Sequence, residues 1–266
     1  MTQKAAAEWA LILGSSSGFG EATSIQLART GFHIFGVHLD RRATLPHVEE
    51  VMAKLRETGR EAVFFNVNAA DADKRKEVLD AIEARFQQSP GTVRVLLHSL
   101  AFGTLKPYVT EKPEDQLAKP QMDMTLDVMG HSLVYWVQDL VARKLMVSGG
   151  RIYAMTSSGG TRVFATYGAV SAAKAALESH IRQLALELAP LGITANAIRA
   201  GVTDTPALRK IPGNDRLIAQ ALDRNPHRRL TTPADVAAAI AVLCHPDTYW
   251  VTGNVIGVDG GEDIVG

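Results

Sequence analysis

One cysteine, Cys244, stands in 266 residues. No internal disulfide can form, and the residue sits in the apolar stretch from Val236 to Cys244. It therefore reads as a small buried hydrophobe suited to a reducing compartment. Net charge is equally absent, since 28 Lys and Arg are matched by 28 Asp and Glu. No overall field favours nucleic acid or a membrane surface. No apolar run is long enough to span a bilayer, and Met1 to Ala7 lacks an apolar core of signal-peptide length. A soluble, cytoplasmic protein is expected, with no metal. No linker, internal repeat or low-complexity run divides the chain either. At 46% hydrophobic content, residues 1–266 are read as one domain.

What is present is a strand-turn-helix alternation. Trp9 to Leu13 is a continuous apolar strand that runs into Gly14-Ser15-Ser16-Ser17-Gly18-Phe19-Gly20, and helical periodicity follows over Glu21 to Arg29. Small residues between a strand and a helix let backbone N–H groups approach a pyrophosphate at the helix N-terminus. Gly14-x-Ser16-x-Gly18 also matches a hydrolase nucleophile elbow. That elbow normally lies well into a chain, with partners at later strand ends, and no downstream histidine has such a setting. The second strand, His33 to His38, opens onto Leu39-Asp40-Arg41-Arg42. An acid here favours NAD by binding ribose hydroxyls, whereas arginines hold the extra phosphate of NADP. With His38 ending the strand and Arg41 and Arg42 following, NADPH is expected over NADH.

A helix over Thr44 to Thr58, a strand over Glu61 to Phe65 ending at Asn66-Val67, and a helix over Asp71 to Gln87 come next. The strand Val93 to Leu97 ends in His98-Ser99-Leu100-Ala101, with His98 read as a structural histidine. Parallel sheets bind ligands beyond their strand C-termini, so these endings converge on one crevice. Gln121 to Val147 and Tyr167 to Leu188 read as long helices, apolar nearly all round, which predicts packing on the sheet and on a partner subunit. The strand Gly192 to Ile198 leads into Arg199-Ala200-Gly201-Val202-Thr203-Asp204-Thr205. Residues 206–230 lack a clear period and carry a local net charge of +4, which makes 205–231 a candidate lid that could recruit an acidic partner. Thr232-Pro233 opens a capped helix, and Asn254 to Val258 is the last strand.

The stretch from 151 to 190 carries the chemistry. A strand, Arg151 to Met155, breaks at Thr156-Ser157-Ser158-Gly159-Gly160, and Tyr167 and Lys174 follow seven residues apart. In a helix that spacing rises about 10.5 Å and falls about 20° short of two turns, so both residues would share a face. A neighbouring ammonium lowers a tyrosine's pKa and makes the phenol a usable proton donor.

The glycine turn, Ser157, Tyr167, Lys174 and the closing Val258-Asp259-Gly260-Gly261 together resemble the short-chain dehydrogenase/reductase family over nearly the whole chain. The resemblance implies an α/β fold, a doubly wound Rossmann three-layer sandwich around a seven-stranded parallel sheet. Most members carry Tyr-x-x-x-Lys, but Ser171 stands four after Tyr167 here. The wider spacing resembles the enoyl-acyl-carrier-protein reductases of fatty acid synthesis. His98-Ser99-Leu100-Ala101 for Asn-Asn-Ala-Gly, Asp127 for the catalytic Asn, and Ala200-Gly201 for Pro-Gly point the same way. Ser157, where the best-known enoyl reductases have a second tyrosine, is similar to a smaller NADPH-dependent type.

Counted back from Lys174, the ordinary tyrosine would be at Val170, so the phenol moves about 4.5 Å along the axis. That suits an enoyl thioester, whose hydride goes to C3 while charge develops on the thioester oxygen. The resemblance thus implies Tyr167, Lys174 and Ser157 as catalytic residues. Gly14, Ser16, Gly18, Phe19, Gly20, His38, Arg41, Arg42, Asn66, Val67, Ser99, Ala101, Lys174, Ala200, Gly201, Thr203 and Thr205 would hold NADPH, with Ile198 beside the nicotinamide. An acyl thioester is the expected substrate, with an acidic acyl carrier protein as a carrier the resemblance allows, and a homotetramer or homodimer the expected assembly. A reductase of ketones or 3-oxoacyl thioesters is the alternative on this fold. A non-catalytic cofactor-binding protein is disfavoured by the presence of all three catalytic residues.

Overall fold

The computed structural model describes residues 6–265; most of the Met1 to Ala7 stretch lies outside them. Strand β1 (Ala7–Leu13) is apolar without alternation because both of its faces are covered. Trp9, Leu11 and Leu13 enter the core on one side of the sheet, and Ala10 and Ile12 the core on the other. The remaining strands are β2 (His33–His38), β3 (Ala62–Asn66), β4 (Gly91–His98), β5 (Arg151–Ser157), β6 (Thr194–Ala200) and β7 (Val255–Val258). All pair in parallel, in the order β3-β2-β1-β4-β5-β6-β7. The doubly wound seven-stranded sheet expected from the sequence is what the chain forms.

Helices α1 (Gly18–Arg29), α2 (Leu45–Glu57) and α8 (Pro233–Leu243) cover one face through Leu27, Leu55 and Ile240. Helices α3 (Ala72–Gln88), α5 (Ser132–Ala142) and α6 (Gly168–Leu188) cover the other through Leu79, Trp136 and Leu177. Strand order reverses at β1, where Leu11 lies between Phe35 of β2 and Leu96 of β4. Connections leave this point to opposite sides, so a crevice opens beyond Leu13 and His98.

Two expectations are corrected. The single helix over Gln121 to Val147 is three pieces: α4 (Lys119–Leu126), a π-turn at Asp127–His131, and α5, which ends at Ala142. At the turn the Ser132 hydroxyl donates to Val128 O at 2.9 Å, and Lys144, in the left-handed region at φ 56, turns the chain after α5. The segment 206–230 is not irregular throughout. It holds a 3-10 turn at Leu208–Lys210 and helix α7 (Asn214–Arg224), in which Ala221 is the one fully buried residue, so its period is faint in sequence. No helix among the described residues is long and apolar enough to cross a membrane.

Candidate active site

The glycine turn after β1 is built by close backbone crossings. Gly14, at φ +90, passes so near the end of β4 that a Cβ would stand 2.3 Å from Ser99 O, and a Cβ on Gly20 would stand 1.9 Å from Gly14 O. Only glycine fits either place. Ser17, the N-cap of α1, makes no side-chain capping bond, so first-turn N–H groups remain free to face an anion. The cradle therefore fits a dinucleotide pyrophosphate.

At the end of β2, His38 Nδ1 lies 2.9 Å from Asp40 Oδ2. Burial raises the Asp40 pKa, but hydrogen bonds from Ser16, Thr44 and His38 outweigh it and hold the carboxyl below its usual range. Ser16 thus meets a carboxylate and not an imidazole, so the serine-hydrolase arrangement is not formed.

A cleft of about 390 Å³ runs from this turn to Lys174. Beside it lies a mainly apolar pocket of about 200 Å³, walled by Leu105, Phe164, Val170, Leu208, Ile211 and Leu217. The two share Phe19, Ala101, Met129, Ser157, Tyr167, Thr205, Ala207 and Lys210. Tyr167 therefore stands at the seam between the cleft that begins at the glycine turn and the pocket beside it.

Tyr167 reaches that seam by a route the spacing did not show. It is the N-cap of α6, at φ −90 and ψ 1, not a residue on the helix face. Thr166 before it is left-handed at φ 63, a costly conformation for a β-branched residue. The ring lies against Gly159, where a Cβ would come 2.5 Å from Tyr167 Cε1, and meets Phe164 edge-on at 6.0 Å.

The expected electrostatics also change. Burial pushes the Tyr167 phenol up while a hydrogen bond with Ser157 pulls it down, and Lys174 makes no contribution. Lys174 points deeper, its Nζ donating to Met155 O at 2.6 Å. Burial lowers its pKa to about 8, opposed by the carboxylate of Glu178, which itself accepts from Thr156 Oγ1 at 2.6 Å. His98 is fully buried and held near a pKa of about 3 by burial and by Lys174. Its Nε2 lies 2.8 Å from the Ser132 hydroxyl, whose proton is given to Val128 O, so Nε2 is the donor and the neutral ring braces the π-turn.

Of the residues expected to hold the cofactor, Gly14, Ser16, Gly18, Phe19, His38, Val67, Ser99, Ala101, Lys174 and Thr205 line the cleft. Ala200, Gly201 and Thr203 instead wall the apolar pocket. Gly20 lies behind the turn, and Ile198 is fully buried in the sheet. Asn66 does not reach the cleft wall; its amide bridges the Asp40 backbone N–H and C=O at 2.9 and 3.0 Å. Arg41 and Arg42 are exposed and off the wall. Sequence reasoning missed Gly159, Thr166 and Glu178; of these, only Gly159 had a sequence signal, its place in the polar break after β5. Among the described residues no group of three or more His, Cys, Asp or Glu is placed to hold a metal ion.

The family profile described as enoyl-(acyl carrier protein) reductase matches residues 14–262. The chain is 31% identical to a 1-cyclohexenylcarbonyl-CoA reductase of Streptomyces collinus, over 96% of this chain and 86% of that one. It is 31% identical to a 3-oxoacyl-[acyl-carrier-protein] reductase of Aggregatibacter actinomycetemcomitans, over 96% and 98%. An NADH-dependent enoyl-[acyl-carrier-protein] reductase of Synechocystis is 31% identical over 71% of each chain. Among solved structures, the enoyl-[acyl-carrier-protein] reductase of Aquifex aeolicus superposes with a TM-score of 0.83 over 98% of both chains at 24% identity, a likeness of fold. The chain belongs to the short-chain dehydrogenase/reductase family, in the branch described as enoyl-(acyl carrier protein) reductase, and is a nicotinamide-dinucleotide-dependent oxidoreductase.

Proposed function

We propose that the protein reduces trans-2-enoyl thioesters. The carrying observation is Tyr167, whose ring stands at the seam of the cleft and the apolar pocket with Ser157 on the same seam. A nicotinamide dinucleotide bound in the cleft would supply a hydride to C3. Tyr167 hydrogen-bonds the thioester oxygen as enolate charge develops there, Ser157 orients that oxygen and the phenol, and the enolate then takes a proton from water at C2 to give the saturated thioester. Lys174 holds the nicotinamide ribose, and the glycine turn with the α1 N-terminus seats the pyrophosphate through Gly14, Ser16, Gly18 and Phe19. Ser99, Ala101 and Val67 line the rest of the dinucleotide path, while Ala200, Gly201, Thr203 and Thr205 position the nicotinamide beside the acyl pocket.

A high phenol pKa is compatible with this role, because a neutral hydroxyl is what donates to an enolate oxygen. The Streptomyces relative supports the reading, since its named substrate is an alkene conjugated to a thioester.

NADPH is the proposed donor, with Arg41 and Arg42 turning onto the 2′-phosphate and Asp40 limiting the preference. The proposed carrier is an acidic acyl carrier protein at the basic face of the lid. There Arg209, Arg228 and Arg229 are paired with Asp204, Asp223 and Asp235, and Lys210, Arg216 and Arg224 have no ion pair among the described residues. Assembly into a homodimer or homotetramer would cover Tyr135 on α5 and Leu186 on α6, which are exposed. A cytoplasmic setting fits this metabolism.

The Aggregatibacter relative, named for 3-oxoacyl reduction, favours the second reading, reduction of 3-oxoacyl thioesters or ketones. Dinucleotide oxidation followed with a 2-enoyl thioester, a 3-oxoacyl thioester and no acceptor separates them. Turnover with the enoyl substrate at more than ten times the kcat/KM of the oxo substrate is expected; the reverse order overturns the proposal.

A further inference from the structure

The segment after β7 does not line the apolar pocket but is tied to the loops after β5 and β6 and to the end of α7. Asp259 folds the segment on itself, its carboxylate accepting from Gly261 N at 3.0 Å and Asp263 N at 3.2 Å. From that base Asp263 reaches two guanidinium groups. Arg162, in the loop after β5, donates to the main-chain O of Asp263 at 2.8 Å and lies 3.0 Å from its Oδ1. Arg199 of β6 lies 3.0 Å from Oδ2. The neighbouring Glu262 accepts from Val202 N at 3.1 and 3.3 Å, in the loop after β6. Buried Asn225, just past α7, donates to Asp259 O at 2.9 Å.

Three regions that lead into these contacts each carry part of the pocket wall: Ser157 to Gly159 at the end of β5, Ala200 to Thr203 at the end of β6, and Leu208 to Leu217 before Asn225. The sheet ties the first two only at their base, where Ser157 pairs with Ala200, and β5 and β6 pair no further. Their spacing beyond those residues needs another tie. We propose that residues 259–263 form a clasp that fixes the gap between the β5 and β6 loops and thereby sets which acyl groups the pocket accepts, with Asp263 and Arg162 as positioning residues.

Charge makes the tie specific. Without the Asp263 carboxylate, Arg162 and Arg199 lose the anion they share, and Glu262, which also interacts with Arg162, is left to hold the loop after β6 alone. The assignment rests on the apolar pocket being the acyl pocket, so its test includes a readout that needs no turnover. Asp263→Asn keeps the main-chain bonds of the clasp and removes its charge; Arg162→Gln breaks it from the other side.

In either variant, amide hydrogen exchange over residues 158–166 and 200–205 is expected to rise about tenfold, which corresponds to about 1.4 kcal/mol of lost local stability. The thioester KM should also rise about tenfold, the optimum acyl length should shift, and dinucleotide Kd should stay within about twofold of the parent. The double variant should be no worse than the worse single one, because both break one tie. Unchanged exchange in a folded variant overturns the clasp. Faster exchange with an unchanged acyl profile overturns its role in selection. A parent that reduces oxo substrates and not enoyl ones sinks the enoyl reading alone, since the same comparison then runs on the oxo series.

Discussion

Lys174→Met separates what the site does for the fold from what it does for the reaction. Burial brings the lysine from 10.5 to about 8, and at about 1.4 kcal/mol per pH unit the folded state bears a cost of about 3 kcal/mol wherever both states are protonated. The folded pKa lies below the unfolded one, so this cost is full below pH 8, shrinks as pH rises, and vanishes above 10.5. Methionine removes the cost and loses the bond to Met155 O, worth about 1 kcal/mol net. A gain of about 2 kcal/mol remains at neutral pH. For a chain of this size that raises Tm by about 4 to 8 °C. Differential scanning calorimetry at pH 7 and pH 10 should show a clear rise at pH 7 that is largely gone at pH 10, while dinucleotide affinity falls because the ribose loses its ammonium. A variant less stable than the parent at pH 7, or equally stabilised at both pH values, refutes the argument that the lysine is held at a cost for function.

Two further substitutions test the walls around it. Gly159→Ala places a methyl 2.5 Å from the Tyr167 ring and must displace the phenol by about 1 Å, so kcat should fall about a hundredfold with dinucleotide binding intact by fluorescence titration. In Asp40→Asn the carboxylate no longer opposes a 2′-phosphate; unit charges about 5 Å apart at an effective dielectric of 20 repel by about 3 kcal/mol. The ratio of kcat/KM for NADPH over NADH should rise at least tenfold, and a fall would assign the arginines no part in phosphate binding.

The sheet, its helices and the cleft were legible because each rests on local pattern. Doubly covered strands are apolar runs, and a turn in which backbone crosses backbone must be glycine, as at Gly14 and Gly20. Where long-range contacts decide, the pattern misled. The apolar run over 121–147 conceals a π-turn that depends on His98 and Ser132. Helical spacing brought Tyr167 and Lys174 to one cleft, but by a strained Thr166 and the space above Gly159, not by a shared helix face. Arg41 and Arg42 were read from their place after β2, yet the side chain fixed nearest the glycine turn there is Asp40. The clasp was invisible, since Arg162 and Asp263 lie 101 residues apart.

In the proposed reaction the Tyr167 phenol serves the oxygen of a conjugated thioester. Single-turnover reduction of crotonyl thioester by Tyr167→Phe, run beside a titration of its NADPH affinity, tests it most directly. A rate at least about a hundredfold below the parent is expected with Kd within about twofold; a variant that binds NADPH and reduces crotonyl thioester at the parental rate would remove the phenol from the reaction.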